Sequence, residues 1–154
     1  MLVVVDRKAI RQDPLDPLHQ RSIHEKQLSP MLKHADLTDQ ILKTYYKVYN
    51  HLGYGFLEKV YENAMFLELR NLGLFVQKQL PIEVHYADHV VGEYYADLVV
   101  SEKVIIELKA AEGLREEHQA QLTNYLKATN IEVGLLLNFG VKPQFHRVVF
   151  SNSA

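Results

Sequence analysis

The stretch from Glu132 to Asn138 constrains this chain most. It reads Glu-Val-Gly-Leu-Leu-Leu-Asn, with Val133, Leu135, Leu136 and Leu137 giving a run apolar on both faces. So short a run is read as a strand, and a strand without a polar face must be covered on both sides. A helical pattern, Leu114 to Thr129, stands directly before it. A helix crossing to a doubly covered strand belongs in an α/β sheet with helices on its faces.

The remaining elements fit that frame. Leu37, Ile41, Tyr45, Val48, Tyr49 and Leu52 recur at helical spacing from Asp36, with Asp36 or Thr38 as cap and Gly53 as stop. A second helix runs from about Phe56 to Asn71, with Leu57, Val60, Ala64, Leu67 and Leu72 as its apolar positions, and ends at Gly73. The period then changes to two. Phe75 to Tyr86 is a strand interrupted near Pro81, at an edge or bulge. Asp88-His89 turns the chain, and Val90 to Val100 and Lys103 to Ala110 form a hairpin. After Gly140 and Pro143 a last strand covers Phe145 to Phe150. The order is α-α-β-β-β-α-β-β, a mixed central sheet flanked by helices. Residues 1–33 show no sustained period and carry Asp13-Pro14, Asp16-Pro17 and Ser29-Pro30. They read as a loosely ordered N-terminal extension with at most a short strand or turn, ahead of a single domain over 34–154. Met31 stands just before the helical pattern, so a start at that residue would leave the domain whole.

The hairpin carries the ionisable residues. With its turn centred on Glu102, Asp97 lies across from Glu107, and Lys109 follows two residues on. Alternation places Glu93, Tyr95, Asp97 and Val99 on one face. Facing carboxylates destabilise a sheet, and a divalent cation between them would relieve the repulsion. A solvated edge hairpin, with Glu107 and Lys109 as surface charges, accounts for these two strands more simply. The third helix is unusual because its stripe holds His118, Gln121 and Tyr125 beside Leu122, either at the end of the sheet or lining a polar cleft. On the second helix Glu58 follows Gly53 and Gly55. Its place near the helix start suits a carboxylate, and Glu62 one turn on makes a mildly unfavourable pair with it.

Composition narrows the function. The 154 residues include no cysteine, which excludes disulfides, zinc–thiolate sites and thiol nucleophiles and is compatible with a cytoplasmic location. A net charge of −2 gives no global attraction to nucleic acid or anionic membrane. No apolar run reaches the length of a membrane span, and Leu2 to Val5 is cut short by Asp6, Arg7 and Lys8, unlike a signal peptide. The histidines lack metal-binding spacing. No phosphate loop and no Gly-x-Ser-x-Gly elbow is present.

Asp97, nine intervening residues and then Glu107-Leu108-Lys109 resemble the D…(D/E)-x-K signature of the PD-(D/E)XK nuclease superfamily. Gln121-x-x-x-Tyr125 is similar to the following motif of its RecB-like branch, and Glu58 matches the early acidic motif. Gly55-x-x-Glu58-x-x-Tyr61 resembles the GxxExxY family. The likeness runs from about Asp36 to Phe150, and Ala96 stands where the superfamily signature has proline.

This resemblance implies a restriction-endonuclease-like core and hydrolysis of phosphodiester bonds. Asp97 and Glu107, with the Leu108 carbonyl, would hold Mg²⁺ or Mn²⁺, and Glu58 would be an outer or second-metal ligand. Lys109 would orient or deprotonate water. Gln121 and Tyr125 would position water or phosphate, with His118 a weaker candidate. Lys78, Lys103, Arg115 and Lys127 would offer backbone contacts to nucleic acid, most simply DNA, while each also reads as ordinary surface charge. A homodimer is compatible, with Tyr45, Tyr46 and Tyr49 either at its interface or in the core. Two functions fit: a metal-dependent nuclease, or a nuclease-fold module that binds nucleic acid or protein without turnover.

Overall fold

The computed structural model describes residues 2–5 and 33–152, the first four by their backbone alone. Two helices, α1 (Ala35–Leu52) and α2 (Glu58–Asn71), precede a meander of β2 (Val76–Tyr86), β3 (His89–Val100) and β4 (Val104–Lys109). Helix α3 (Glu116–Lys127) crosses to β5 (Val133–Phe139), and β6 (Pro143–Phe150) returns beside it. The sheet order is β1-β6-β5-β4-β3-β2, where β1 is Leu2–Val5, antiparallel to β6. The short strand allowed for in the extension is thus the sheet's edge strand. The rest of that extension up to residue 32 lies outside the described residues.

Only β4 and β5 run parallel, as their connection through α3 requires. Every residue of β5 is buried. Val133, Leu135, Leu137 and Phe139 face the core shared with α1 and α2, while Leu136 joins Leu122, Tyr125 and Leu126 beneath α3. Gly134 is needed where α3 crosses, because a Cβ there would sit 2.8 Å from Leu122.

Helix α1 buries Ile41, Tyr45 and Val48 as the spacing predicts. It ends at Gly53, whose φ of 68° would strain any other residue and whose N–H bonds the Tyr49 carbonyl. The expected cap differs. His34 occupies that position without a side-chain bond, and Thr38 donates to the Ala35 carbonyl instead. The face of α2 also differs. Tyr61, Glu62, Met65 and Leu69 are buried, whereas Leu57, Val60, Leu67 and Leu72 are exposed. The tyrosine decides the face because its ring stacks on Phe139 at 4.1 Å, and Glu62 is carried inward beside it. Tyr45 is equally internal: its hydroxyl bonds the Asn138 and Gln144 carbonyls, which removes it from any dimer interface. Tyr49 donates to the Gly140 or Val141 carbonyl.

The alternation expected along β3 breaks at Asp97. Leu98 and Val100 pack toward α1 and α2, but Ala96 packs with Val99 beneath α3. The ring of Tyr94 lies 5.7 Å from that of Tyr125 on the same side. Glu93 and Tyr95 therefore do not share a face with Val99. Strand β2 changes faces at the same level, between Val76 and Leu80, where Gln79 adopts φ 52°. This left-handed residue opposite Asp97, rather than Pro81, marks the irregularity nearest the site. The pairing keeps its register through Gln79 and shifts later, at Val84/His85.

Candidate active site

The register puts the acid pair together. Leu98, Val99 and Val100 pair with Ile106, Ile105 and Val104, and Asp97 and Glu107 come next. Ser101 and Glu102, with φ of 52° and 57°, turn the hairpin. At the acid pair, side chains replace backbone acceptors: the Asp97 N–H donates to Glu107 Oε1 at 3.1 Å, and the Leu108 N–H to Asp97 Oδ2 at 2.9 Å. Each carboxylate thus spends an oxygen on the partner strand where the two strands separate.

The electrostatics are unfavourable for two bare charges. Glu107 is 4% exposed. Burial and then the Asp97 charge raise its carboxyl from the ordinary 4.5 to about 8. Asp97 is raised too, by burial first and further by the charges of Glu62 and Glu58, against the lowering effect of the bonds from the Leu108 N–H and Gln79. Neither acid forms an ion pair with a described residue. Lys109 turns aside, its Nζ donating to Gln121 Oε1 at 3.1 Å, and Gln121 Nε2 donates to the Tyr125 hydroxyl at 3.0 Å. Burial and then the Glu107 charge push the Tyr125 phenol up to about 12, so it keeps its proton.

Asp97 and Glu107 thus form one hydrogen-bonded group and Lys109, Gln121 and Tyr125 a second, and the two are near enough for the Lys109 charge to act on Glu107 and for both acids to act on Tyr125. Glu58 stands at the exposed start of α2, near enough for its charge to act on Asp97. Glu62 acts on Asp97 more strongly. It is 4% exposed, accepts from Gln79 Nε2 at 3.0 Å, and pairs with Lys59 at 3.1 Å, which offsets part of the charge of the Glu58–Glu62 pair. Gln79 Nε2 also lies 3.3 Å from Asp97 Oδ1 and links the two acids. Glu62 and Gln79 escape a sequence reading. The only trace of Glu62 is its spacing from Glu58, and Gln79 gains its place from the β2 irregularity. His118 leaves the cluster: its Nδ1 accepts the Arg115 N–H at 3.1 Å and closes the first turn of α3.

Among the described residues no three His, Asp or Glu side chains converge on one point as a cation cage. The donor set still suits Mg²⁺, which keeps several waters and takes one or two carboxylates plus substrate phosphate oxygens. A buried and a half-buried carboxylate, whose mutual repulsion the nearby Lys109 charge offsets only in part, are a fitting pair of hard oxygen donors. Among the described residues no helix is long and apolar enough to cross a membrane.

Comparison with known proteins agrees with this architecture. The family model of the PD-(D/E)XK nuclease superfamily matches residues 35–148. The chain belongs to that superfamily, and its mixed sheet flanked by helices is a restriction-endonuclease-like fold. No match was found among curated proteins. The solved structure of SSO0001 is similar at 17% identity and a TM-score of 0.46, covering 62% of this chain. The match spans about half of that protein, 52% of its length.

Proposed function

We propose that the protein is a Mg²⁺- or Mn²⁺-dependent nuclease that hydrolyses phosphodiester bonds of nucleic acid, most simply DNA. The observation that carries this reading is the pairing of half-buried Asp97 with buried Glu107 at the opening between β3 and β4, with Lys109 two residues on. In this reading Asp97, Glu107 and the Leu108 carbonyl hold the cation, which when bound neutralises phosphate charge and acidifies water. Glu58 is an outer or second-cation ligand, and the buried Glu62 positions Asp97 through Gln79. Lys109 orients the attacking water from its bond to Gln121, and Gln121 and Tyr125 position water or a phosphate oxygen. The Gly55, Glu58 and Tyr61 spacing supports placement in the GxxExxY family, and Gln121 with Tyr125 supports the RecB-like branch. A cytoplasmic enzyme, acting singly or as a homodimer, completes the reading.

The test is incubation of purified protein with single-stranded and duplex DNA and with RNA, in Mn²⁺ or EDTA. Cation-dependent cleavage by wild type, lost in Asp97→Asn and Lys109→Met, is expected. Variants that cut as fast as wild type would sink the proposal. Absence of cation binding by calorimetry, with nucleic acid still bound, would point to a module without turnover.

A further inference from the structure

A groove of about 670 Å³ begins at Ala110, immediately after Lys109, and is lined by the loops after α1, β4 and β5. It lies at the carboxyl ends of the parallel pair β4 and β5, the crevice where open α/β sheets bind ligands. Its walls are apolar yet exposed: Tyr54 is 59%, Phe56 48% and Val141 64% accessible. Exposed apolar surface concentrated beside a candidate catalytic centre marks a binding site.

Both walls are fixed in place. The Tyr61 hydroxyl donates to the Gly53 carbonyl at 2.8 Å and accepts the Phe56 N–H at 3.2 Å, which holds the loop bearing Tyr54 and Phe56. The Phe56 ring meets the Tyr61 ring edge-on at 6.1 Å. On the other side Tyr49 reaches the Gly140 and Val141 carbonyls at 2.8 and 2.7 Å. The buried Asn138 bonds the Ala111 backbone at both its N–H and its carbonyl. Where the walls meet, a Cβ on Gly140 would lie 2.4 Å from the Ala111 oxygen, so only glycine allows the two loops to close.

Charge decides the occupant. Glu58 and Glu112 line the groove against one cation, Lys59, so it does not attract a phosphate. A nucleobase is neutral, flat and apolar on its faces, and aromatic side chains stack on bases of any sequence. We infer that this groove receives an unpaired nucleobase from the nucleotide next to the reacting phosphate, which makes single-stranded nucleic acid, or a frayed end, the preferred substrate. The inference rests on the nuclease reading of the neighbouring carboxylates. It gives Tyr61 a distinct duty as a positioning residue that holds the stacking wall.

The experiment measures binding of fluorescein-labelled single-stranded and blunt duplex DNA by anisotropy, with full-length protein carrying Asp97→Asn to silence cleavage. Adding Tyr54→Ala and Phe56→Ala should weaken single-strand binding about tenfold or more while changing duplex binding less than twofold. An abasic site next to the reacting phosphate should cost the parent protein a similar factor and the groove variant nothing further. Tyr54→Phe, which keeps the ring, should retain binding. Equal losses on both DNAs, no loss on either, or an abasic penalty that survives the groove changes would each overturn the inference. Cleavage by wild type, assayed in parallel with Mn²⁺, separates the two readings. Efficient cutting with no effect of Tyr54 and Phe56 defeats the groove alone. No cutting of any DNA, with the stacking pattern intact, defeats the nuclease alone.

Discussion

Neutralising Glu107 should stabilise the cation-free protein while destroying its activity. The Glu107 carboxyl is raised from 4.5 to about 8 in the fold. Its unfolded form ionises first as pH rises, so the native state binds more protons between those values and stability falls across that window. At about 1.36 kcal/mol per pK unit the loss has a ceiling of roughly 5 kcal/mol, and water entering beside the half-buried Asp97 reduces it to about 2–3 kcal/mol. Glu107→Gln removes the ionisation and keeps an oxygen for the Asp97 N–H. In EDTA at pH 9 the variant should therefore be about 2–3 kcal/mol more stable than wild type, while at pH 5 the two should agree within roughly 1 kcal/mol. Urea unfolding at both pH values measures this, and the pH 9 difference should raise the melting temperature by about 6–10 °C. Adding Mn²⁺ at pH 9 should restore wild type toward the variant and leave the variant unmoved. A difference that is the same at pH 5 and pH 9, or a wild type whose stability is flat between them, would refute the reasoning.

Lys109→Met should lower cleavage by about 10²-fold or more while Mn²⁺ affinity, read by calorimetry, stays within a few-fold. Gly140→Ala should destabilise the fold by about 1–3 kcal/mol in urea titration, because the added methyl meets a backbone oxygen rather than a flexible side chain. Deletion of residues 1–30 removes β1 and unpairs the outer edge of β6. The shortened protein should stay folded, but amide exchange along Phe145–Phe150 should quicken and aggregation increase, as for any uncovered edge.

Much of the sheet was legible because burial writes itself into periodicity. The doubly apolar β5 announced its helical cover, and a turn centred on Glu102 set Asp97 across from Glu107, the register that the Leu98–Ile106 pairing continues. The inner face of α2 was not legible. Val60 and Leu67 point outward while Met65 and Leu69 point inward, and the face is chosen by Tyr61 stacking on Phe139, a residue some eighty positions away in the chain. Glu62 was missed for the same reason, since a carboxylate on a buried face looks like any surface acid until its partners Gln79 and Lys59 are brought up. His118 was misplaced in the other direction: a polar residue on a packed stripe proved to be a local helix cap. Asn138 gave no signal at all, because its bonds to Ala111 join the end of β5 to the loop after β4, which only the parallel pairing of the two strands brings together.

The change of faces shared by β2 and β3 at Gln79 and Asp97 has a consequence for how the acid pair endures. On the Val76 and Val100 side of that level the ribbon is buried on both faces, Leu98 and Val100 toward α1 and α2 and Val99 toward α3, while on the Ile82 side its buried residues face α3 alone. A slip of one residue in either strand would turn both apolar sets outward at once. The alignment of Asp97 with Glu107 is thus indexed by hydrophobic burial on both sides of the sheet, against the repulsion of the charges themselves. Truncation of Ile82 or Val76 should therefore loosen the alignment of two carboxylates that neither residue touches.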